Sequence, residues 1–220
     1  VLVGAGDIAN CEMLGGARAT AALLDKIEGT IFTLGDHAYP RGTAKELKDC
    51  YEPTWGRHKA RTRPTLGNHD LITNRGQPYY EYFGDNAGPS GRGYYSYNLG
   101  AWHIISLNGT AVVDARSPQA AWLREDLAAH AGDCVLAYWH APVFSSGPHT
   151  PNPTMHYIWS ILYKAGADVV LVSHDQGGFV VEATTIQDPT PLATTLCDEQ
   201  ASRWGPRLVE GVSKFRPGVG

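Results

Sequence analysis

One pattern recurs five times along this chain: an apolar run is followed at once by a carboxylate, amide or imidazole side chain. In residues 31–40 an apolar and β-branched run meets Gly35, and Asp36, His37 and Tyr39 follow directly. Such runs are typical of buried strands, and open α/β sheets place their chemistry where the strands end. We therefore expect one rim of the fold to carry the five strand-end side chains Asp7, Asp36, Asn68, His140 and His174.

The composition indicates one globular domain that can bury a core of its own. Of the 220 residues, 43% are hydrophobic and 18% are charged, and the net charge is −4. This charge gives no general attraction for nucleic acid or for an anionic membrane, so a phosphate-bearing ligand would need a local positive site such as bound cations. No apolar run approaches the ~18 to 20 residues of a membrane span. Nothing in the sequence indicates an obligate protein partner.

The four cysteines lack the C-x-x-C spacing of a structural zinc knuckle. Cys11 follows the first predicted strand and Cys50 follows the second at a similar distance, so a disulfide joins them if those strands are neighbours. Two small buried thiols are the alternative. A disulfide would indicate an extracytoplasmic or secreted protein whose signal peptide is absent from this chain.

Strands alternate with helices, and one antiparallel hairpin is predicted over residues 93–107, with His103 as a packed or edge histidine. This order predicts either one mixed sheet or two packed sheets covered by helices. The pattern weakens after Gly178. Residues 179–181 could form one more strand, and we assign residues 1–182 to the folded domain and 183–220 to a divergent tail. The predicted helices cover residues 17–27, 44–50, 118–131 and 154–165.

The strand-end side chains, together with Tyr39, supply oxygen and nitrogen ligands without a thiolate. Such a set suits iron, manganese or zinc better than a sulfur-preferring metal. Because one carboxylate can bridge two cations, the set can hold a pair about 3.5 to 4 Å apart that polarises a phosphoryl oxygen and generates hydroxide at neutral pH. The remaining polar groups can then transfer protons.

These blocks resemble the ordered motifs of the calcineurin-like metallophosphoesterases over residues 1–178. The Asp-x-x-Tyr form at Asp36 and Tyr39, and Ala9 in place of a histidine two residues after Asp7, are more similar to the purple acid phosphatases and their small bacterial relatives. The resemblance implies an α/β fold of two packed mixed β-sheets flanked by helices, a four-layer αββα sandwich. The blocks are Gly6-Asp7, Gly35-Asp36-His37-Ala38-Tyr39, Gly67-Asn68-His69-Asp70, Trp139-His140 and Ser173-His174-Asp175.

The resemblance also implies how two metal ions would be held. Asp36 would bridge them, and Asp7 and Tyr39 would bind the first, where a tyrosinate favours Fe(III). The second ion would be Zn(II), Fe(II) or Mn(II), with the ligands Asn68, His140 and His174.

Three further residues match the catalytic groups of this family. His69 would contact the substrate phosphate and assist the leaving group, with Asp70 as its orienting partner. His149, nine residues after His140 in a Gly-Pro-His-Thr loop, resembles a second proton donor; a solvated loop histidine is the alternative.

One position departs from the family pattern. The last block usually ends Gly-His-x-His, and its final histidine binds the first metal, but Gln176 stands there in this chain. A neutral amide oxygen is a poorer ligand than imidazole for Fe(III) or zinc, so Gln176 is a doubtful ligand and the first metal should be held more weakly.

Three functions are therefore compared. The first is hydrolysis of small phosphate esters, with monoesters favoured, by hydroxide bound at a dinuclear metal centre. The second is a degenerate family member that binds metal or phosphate with little turnover. The third is a Rossmann-type dinucleotide site, because residues 4–9 satisfy G-x-G-x-x-A after a strand and Asp36 closes the next strand. The third leaves Asn68, His140 and His174 unexplained.

Overall fold

The computed structural model describes residues 1–144 and 152–174, in which short helices alternate with nine strands. The strands are β1 (Leu2–Ala5), β2 (Ala9–Asn10), β3 (Thr30–Thr33), β4 (Ala38–Tyr39), β5 (Thr62–Pro64), β6 (Tyr95–Leu99), β7 (Trp102–Ser106), β8 (Cys134–Tyr138) and β9 (Val169–Leu171). The α-helices are α1 (Gly15–Leu24), α2 (Ala44–Glu46), α3 (Asn68–Ile72), α4 (Gln77–Phe83), α5 (Pro118–Ala129) and α6 (His156–Ala165).

The strands form two main sheets and one small ribbon. The first sheet has the order β1-β3-β5, and its neighbours are parallel. The second has the order β6-β7-β8-β9; β6 and β7 are antiparallel, and the other pairs are parallel. The predicted hairpin is therefore confirmed. The ribbon pairs β2 with β4 just beyond the ends of β1 and β3.

Apolar side chains pack between the two sheets and on both outer faces. Phe32 and Leu34, from β3 and the residue after it, meet Ile104, Leu136 and Leu171 of the second sheet. Helix α1 covers the outer face of the first sheet, and α5 and α6 cover the outer face of the second. All five residues of β8 are buried, as expected of a parallel strand covered on both faces. The predicted four-layer αββα sandwich is confirmed.

The helix boundaries follow local capping signals where these are strong. Ser117 accepts a hydrogen bond from the Ala120 N–H at 3.4 Å, and Pro118 opens α5 as predicted. Thr43 and Glu46 form a reciprocal capping box that starts α2. The predicted helix over 44–50 differs in one respect, because after Glu46 it continues as a π-helix over Leu47–Tyr51.

A disulfide joins Cys11 to Cys50, as the sequence predicted for neighbouring strands, and no cysteine in the described part of the chain is free. Across residues 1–144 and 152–174, no helix is both long enough and apolar enough to span a bilayer. The possible strand over residues 179–181 and the boundary at residue 182 lie outside the described residues, so both stay predictions.

Candidate metal centre

The loops that follow β1 and β3 run side by side and set two carboxylates next to each other. The N–H groups of Asp7, Ile8 and Ala9 donate to the carbonyls of residues 35–37 at 3.1, 3.0 and 3.2 Å. Asp7 and Asp36 both adopt left-handed backbone conformations, with φ of 56° and 54°. Such values are uncommon outside glycine, although Asp tolerates them better than most residues. The backbone therefore fixes the position of the acidic pair.

The first group of oxygen atoms centres on Tyr39. Its Oη lies 2.6 Å from Asp7 Oδ1 and 2.9 Å from Asp36 Oδ2, and its single proton can be donated to only one of them at a time. Ser173 Oγ donates to Asp7 Oδ2 at 2.5 Å, a contact for which the sequence analysis assigned no role. Three predicted ligands of the first metal thus share one hydrogen-bonded cluster.

The second group centres on the Asn68 side chain, at the start of α3. Asn68 Oδ1 lies 3.0 Å from His140 Nε2 and 3.1 Å from His174 Nε2. His140 Nε2 also lies 3.4 Å from Asp36 Oδ2, and its Nδ1 donates to the Leu34 carbonyl at 2.5 Å. The two groups therefore meet at Asp36, and the structure brings together the strand-end residues as predicted.

The carboxylates stabilise positive charge between these two groups. Burial alone would lower the pKa of His140, but the hydrogen bond and charge of Asp36 outweigh it and raise that pKa to about 9. Burial would likewise raise the pKa of Asp36, and His140 holds it at about 2. Burial, and then the charges of Asp36 and Asp7, raise the pKa of Tyr39 well above its usual value. A bound cation would compete with the protons of His140 and Tyr39 for the same carboxylates.

The donor set fits a metal centre. One ligand atom each from Asp7, Asp36 and His140 lie within 4.8 Å of one another, and Tyr39 and Asn68 add further oxygens. Oxygen and imidazole ligands without thiolate suit iron, manganese or zinc. Gln176 and His149 lie outside the described residues, so their roles stay predictions.

His69 lies at the edge of this centre. It is half-buried, its ring packs 4.6 Å from the Tyr39 ring, and its Nδ1 donates to the Pro40 carbonyl at 2.6 Å. Because a carbonyl can only accept, Nδ1 carries the proton and Nε2 is the nitrogen left for a ligand. The backbone N–H of His69 donates to Asp36 Oδ1 at 2.9 Å, which orients that carboxylate.

Asp70 does not orient His69, so that expectation is wrong. The Asp70 carboxylate is buried and accepts from the N–H groups of Asp36, His37 and Gly67 at 2.9, 3.1 and 2.9 Å. It also lies 3.0 Å from His37 Nδ1. Consecutive residues of a helix point about 100° apart, so His69 faces the metal centre while Asp70 faces the core. Asp70 holds the loops that carry the ligands.

His37 supports the loop that carries Asp36, a role that the sequence did not predict. It is fully buried, with Nε2 2.7 Å from Thr33 Oγ1 and its ring packed among Tyr51, Tyr79 and Phe83. Its place directly after Asp36 could have indicated this role. If Asp36 points toward the other ligand-type side chains, its neighbour points the opposite way and finds its hydrogen-bond partners beneath the loop.

Comparison with known proteins identifies the family. A protein-family model described as calcineurin-like phosphoesterase matches residues 2–177. The chain belongs to the calcineurin-like phosphoesterase family. The relation to purple acid phosphatases is confirmed as well: Purple acid phosphatase 15 of Arabidopsis thaliana is 25% identical over 187 residues, covering 66% of this chain and 34% of that protein. Purple acid phosphatase 13 of the same plant is 28% identical over 167 residues, covering 63% and 31%.

The chain spans about a third of the length of these curated relatives. A solved purple acid phosphatase from yellow lupin (Lupinus luteus) seeds aligns at 14% identity with a TM-score of 0.47, covering 72% of this chain and 32% of that one.

The glycines behind the Rossmann hypothesis have packing roles in this fold. A Cβ on Gly4 would meet the Phe32 carbonyl, and a Cβ on Gly6 would meet Ser173 Oγ.

Replacing the buried Asp70 with alanine should destabilise the fold. The Asp70→Ala variant leaves three backbone N–H groups and His37 without their acceptor, so we expect the free energy of unfolding to fall by about 3 kcal/mol or more. Urea titration measures this loss. Asp85→Ala, which removes an exposed carboxylate, is the matched control. An equal loss in both variants would show that the Asp70 contacts contribute nothing specific.

Gly67 allows the third ligand-bearing loop to approach Asp36. A Cβ at residue 67 would lie 2.1 Å from Asp36 Oδ1 and 2.4 Å from Asp36 N, so Gly67→Ala must displace the central carboxylate. We expect metal affinity to fall about tenfold or more, as measured by titration with Zn²⁺. Gly16→Ala is the control, because a Cβ there meets nothing within 4 Å. Unchanged affinity in Gly67→Ala would contradict the proposed position of Asp36 in the centre.

Proposed function

We propose that this chain hydrolyses small phosphate esters at a centre of two metal ions, with phosphomonoesters as the favoured substrates. The observation that carries the proposal is the meeting of two ligand groups at one carboxylate. Asp36 Oδ2 lies 2.9 Å from Tyr39 Oη on one side and 3.4 Å from His140 Nε2 on the other. A carboxylate between two donor sets is suited to bridge two cations.

The arrangement of the described residues supports the ligand assignments that the family resemblance implies. Asp7 and Tyr39 would bind the first ion, with Gln176 proposed as a further, weaker ligand on the family pattern alone. Asp36 bridges, and Fe(III) with Zn(II), Fe(II) or Mn(II) is the pair we propose. The second ion has the ligands Asn68, His140 and His174. When bound, the two ions would neutralise charge on the phosphoryl oxygens and lower the pKa of bound water, so that hydroxide is available at neutral pH.

The protein side chains hold the ligands in position and move the proton. The Leu34 carbonyl fixes Nδ1 of His140 as the protonated nitrogen, so Nε2 can be a ligand. His69 is fixed in the same way by Pro40, so its Nε2 is the atom that contacts the phosphate and, when protonated, donates to the leaving oxygen. His149 is proposed as a second donor on the family pattern alone.

The proposal extends to where the protein works and to its domain. A disulfide persists in an oxidising compartment, so Cys11–Cys50 supports an extracytoplasmic or secreted protein. The net charge of −4 favours a small substrate over nucleic acid. Residues 1–182 are proposed as the catalytic domain and 183–220 as a divergent tail.

Substitutions of Asp36 and His69 should separate metal binding from turnover. Asp36→Ala removes the bridge, so we expect loss of both ions of this centre and about a thousandfold or greater loss of phosphatase activity. His69→Ala should keep both metals and lose about a hundredfold or more in turnover, the usual contribution of a general acid. Metal content by inductively coupled plasma mass spectrometry and hydrolysis of an aryl phosphate are the two measurements.

His156→Ala, which removes an exposed imidazole, is the control for His69→Ala. Equal metal loss in Asp36→Ala and His69→Ala would show that His69 is a ligand rather than an acid. Wild-type protein with two metals and no hydrolysis of any ester would contradict the proposed activity itself.

The presence of Gln176 favours a second candidate, a family member that binds metal or phosphate but turns over poorly. Under this hypothesis Gln176→His should restore an imidazole ligand, raise the metal content toward two ions per chain and increase activity at least about tenfold. Gln119 lies away from the centre, but Gln119→His is not a suitable control. The Gln119 amide is buried and hydrogen-bonded to the backbone of residue 108, so its loss would itself disturb the fold. Gln176→Ala is the better control. No change in metal content or rate in Gln176→His would count against this candidate.

A further inference from the structure

A second group of ligand-type side chains lies at the opposite rim of the sandwich. His103 is on β7, Asp126 is in the last turn of α5, and His130 follows the end of that helix. One ligand atom from each lies within 4.8 Å of the other two. His103 pairs with Val135 at the start of β8, whereas His140 follows its end, about 16 Å further along the strand. The group is therefore separate from the candidate metal centre.

Each of the three side chains is held through an atom that faces away from the group. His103 Nδ1 lies 2.8 Å from Asn98 Oδ1, and His130 Nδ1 donates to the Asp126 backbone carbonyl at 2.8 Å. Ser96 Oγ donates to Asp126 Oδ1 at 2.9 Å. With both Nδ1 atoms engaged by oxygen acceptors, Nε2 is the nitrogen through which each ring would bind an ion; on His103 the ion would replace the proton that Nε2 shares with Asp126 Oδ2.

The remaining atoms face one another at close range. His103 Nε2 lies 2.7 Å from Asp126 Oδ2, and the rings of His103 and His130 are stacked with centroids 3.6 Å apart and planes 14° apart. His103 is only 1% exposed, whereas Asp126 and His130 are partly exposed. The group therefore contains one buried side chain, His103, and two side chains that solvent can reach.

We propose that His103, Asp126 and His130 form a zinc-class metal site. Two imidazoles and one carboxylate are a ligand set of known three-ligand zinc sites, which leave a fourth position to water. Hydrogen bonds from the far atom of each ligand to carbonyl or hydroxyl groups are the usual support of such sites. For both Nε2 atoms to bind one ion, the partly exposed His130 ring would have to turn out of its stack on His103.

A metal bound here would connect two layers of the fold. His103 and its partner Asn98 belong to the β6–β7 hairpin, at the edge of the second sheet. Asp126 lies in α5, on the outer face of that sheet, and His130 directly follows the helix. The site would fasten the edge hairpin to the helix layer and stabilise the folded state by an amount that grows with the logarithm of the free zinc concentration above Kd. The expected effect is on the stability of the fold, and it does not depend on the chemistry proposed at Asp36.

The test compares zinc binding in full-length variants that all carry Asp36→Ala, which removes the bridging ligand of the other centre. In this background we expect one zinc per chain after dialysis against micromolar zinc, and an increase in Tm of about 5 °C or more when zinc is in hundredfold excess over Kd. His130→Ala and Asp126→Asn should lose both the zinc and the shift. His156→Ala, which removes an exposed imidazole elsewhere, should keep both.

Co²⁺ provides an independent readout, since the visible absorption of a four-coordinate cobalt ion should appear in the background protein and be lost in His130→Ala. Zinc content and a Tm shift that are unchanged by both His130→Ala and Asp126→Asn would overturn the proposal. So would a background protein that binds no zinc, which would leave the three residues as a hydrogen-bonded group only. The metal content of the chain with Asp36 intact tests the catalytic proposal separately.

Discussion

The candidate metal centre depends on one buried carboxylate that is not itself a ligand. Asp70 accepts hydrogen bonds from the backbone of Asp36, His37 and Gly67, and so ties the loop after β3 to the start of α3. A buried carboxylate is costly unless its lone pairs are satisfied, and here four donors satisfy it. Two ligand-bearing segments that are far apart in sequence are thereby held at a fixed distance.

Above this support, parallel strand pairing does most of the positioning. β1 and β3 are neighbours in register, and the pairing continues into their loops, so Asp7 and Asp36 leave the sheet side by side. β8 and β9 deliver His140 and His174 in the same manner from the second sheet. Because both sheets present their carboxyl ends to one rim, a metal centre of the calcineurin-like phosphoesterase family can form between them.

The sequence predicts which strand-end side chains meet, because each of them directly follows an apolar run that ends at the same rim. It predicts supporting contacts poorly, because these depend on which way a side chain turns. Asp70 follows His69 directly, yet the helix points them in different directions, and His37 turns beneath the loop that carries Asp36. The choice between one sheet and two also required the structure, since periodicity shows that a strand is buried but not which strand lies against it. The hydrogen bond from Ser173 to Asp7 could not be predicted for the same reason, since the sequence does not show which strand ends lie next to each other.

The disulfide has a consequence for the integrity of the chain. Cys11 and Cys50 are 39 positions apart, and the segment they close contains α1, β3 and the loop with Asp36 and Tyr39. Cutting any single peptide bond between the two cysteines therefore opens a ring instead of releasing a fragment. Both pieces stay covalently joined next to the acidic pair, so under oxidising conditions a protease must cut this segment twice before any part of it can leave the molecule.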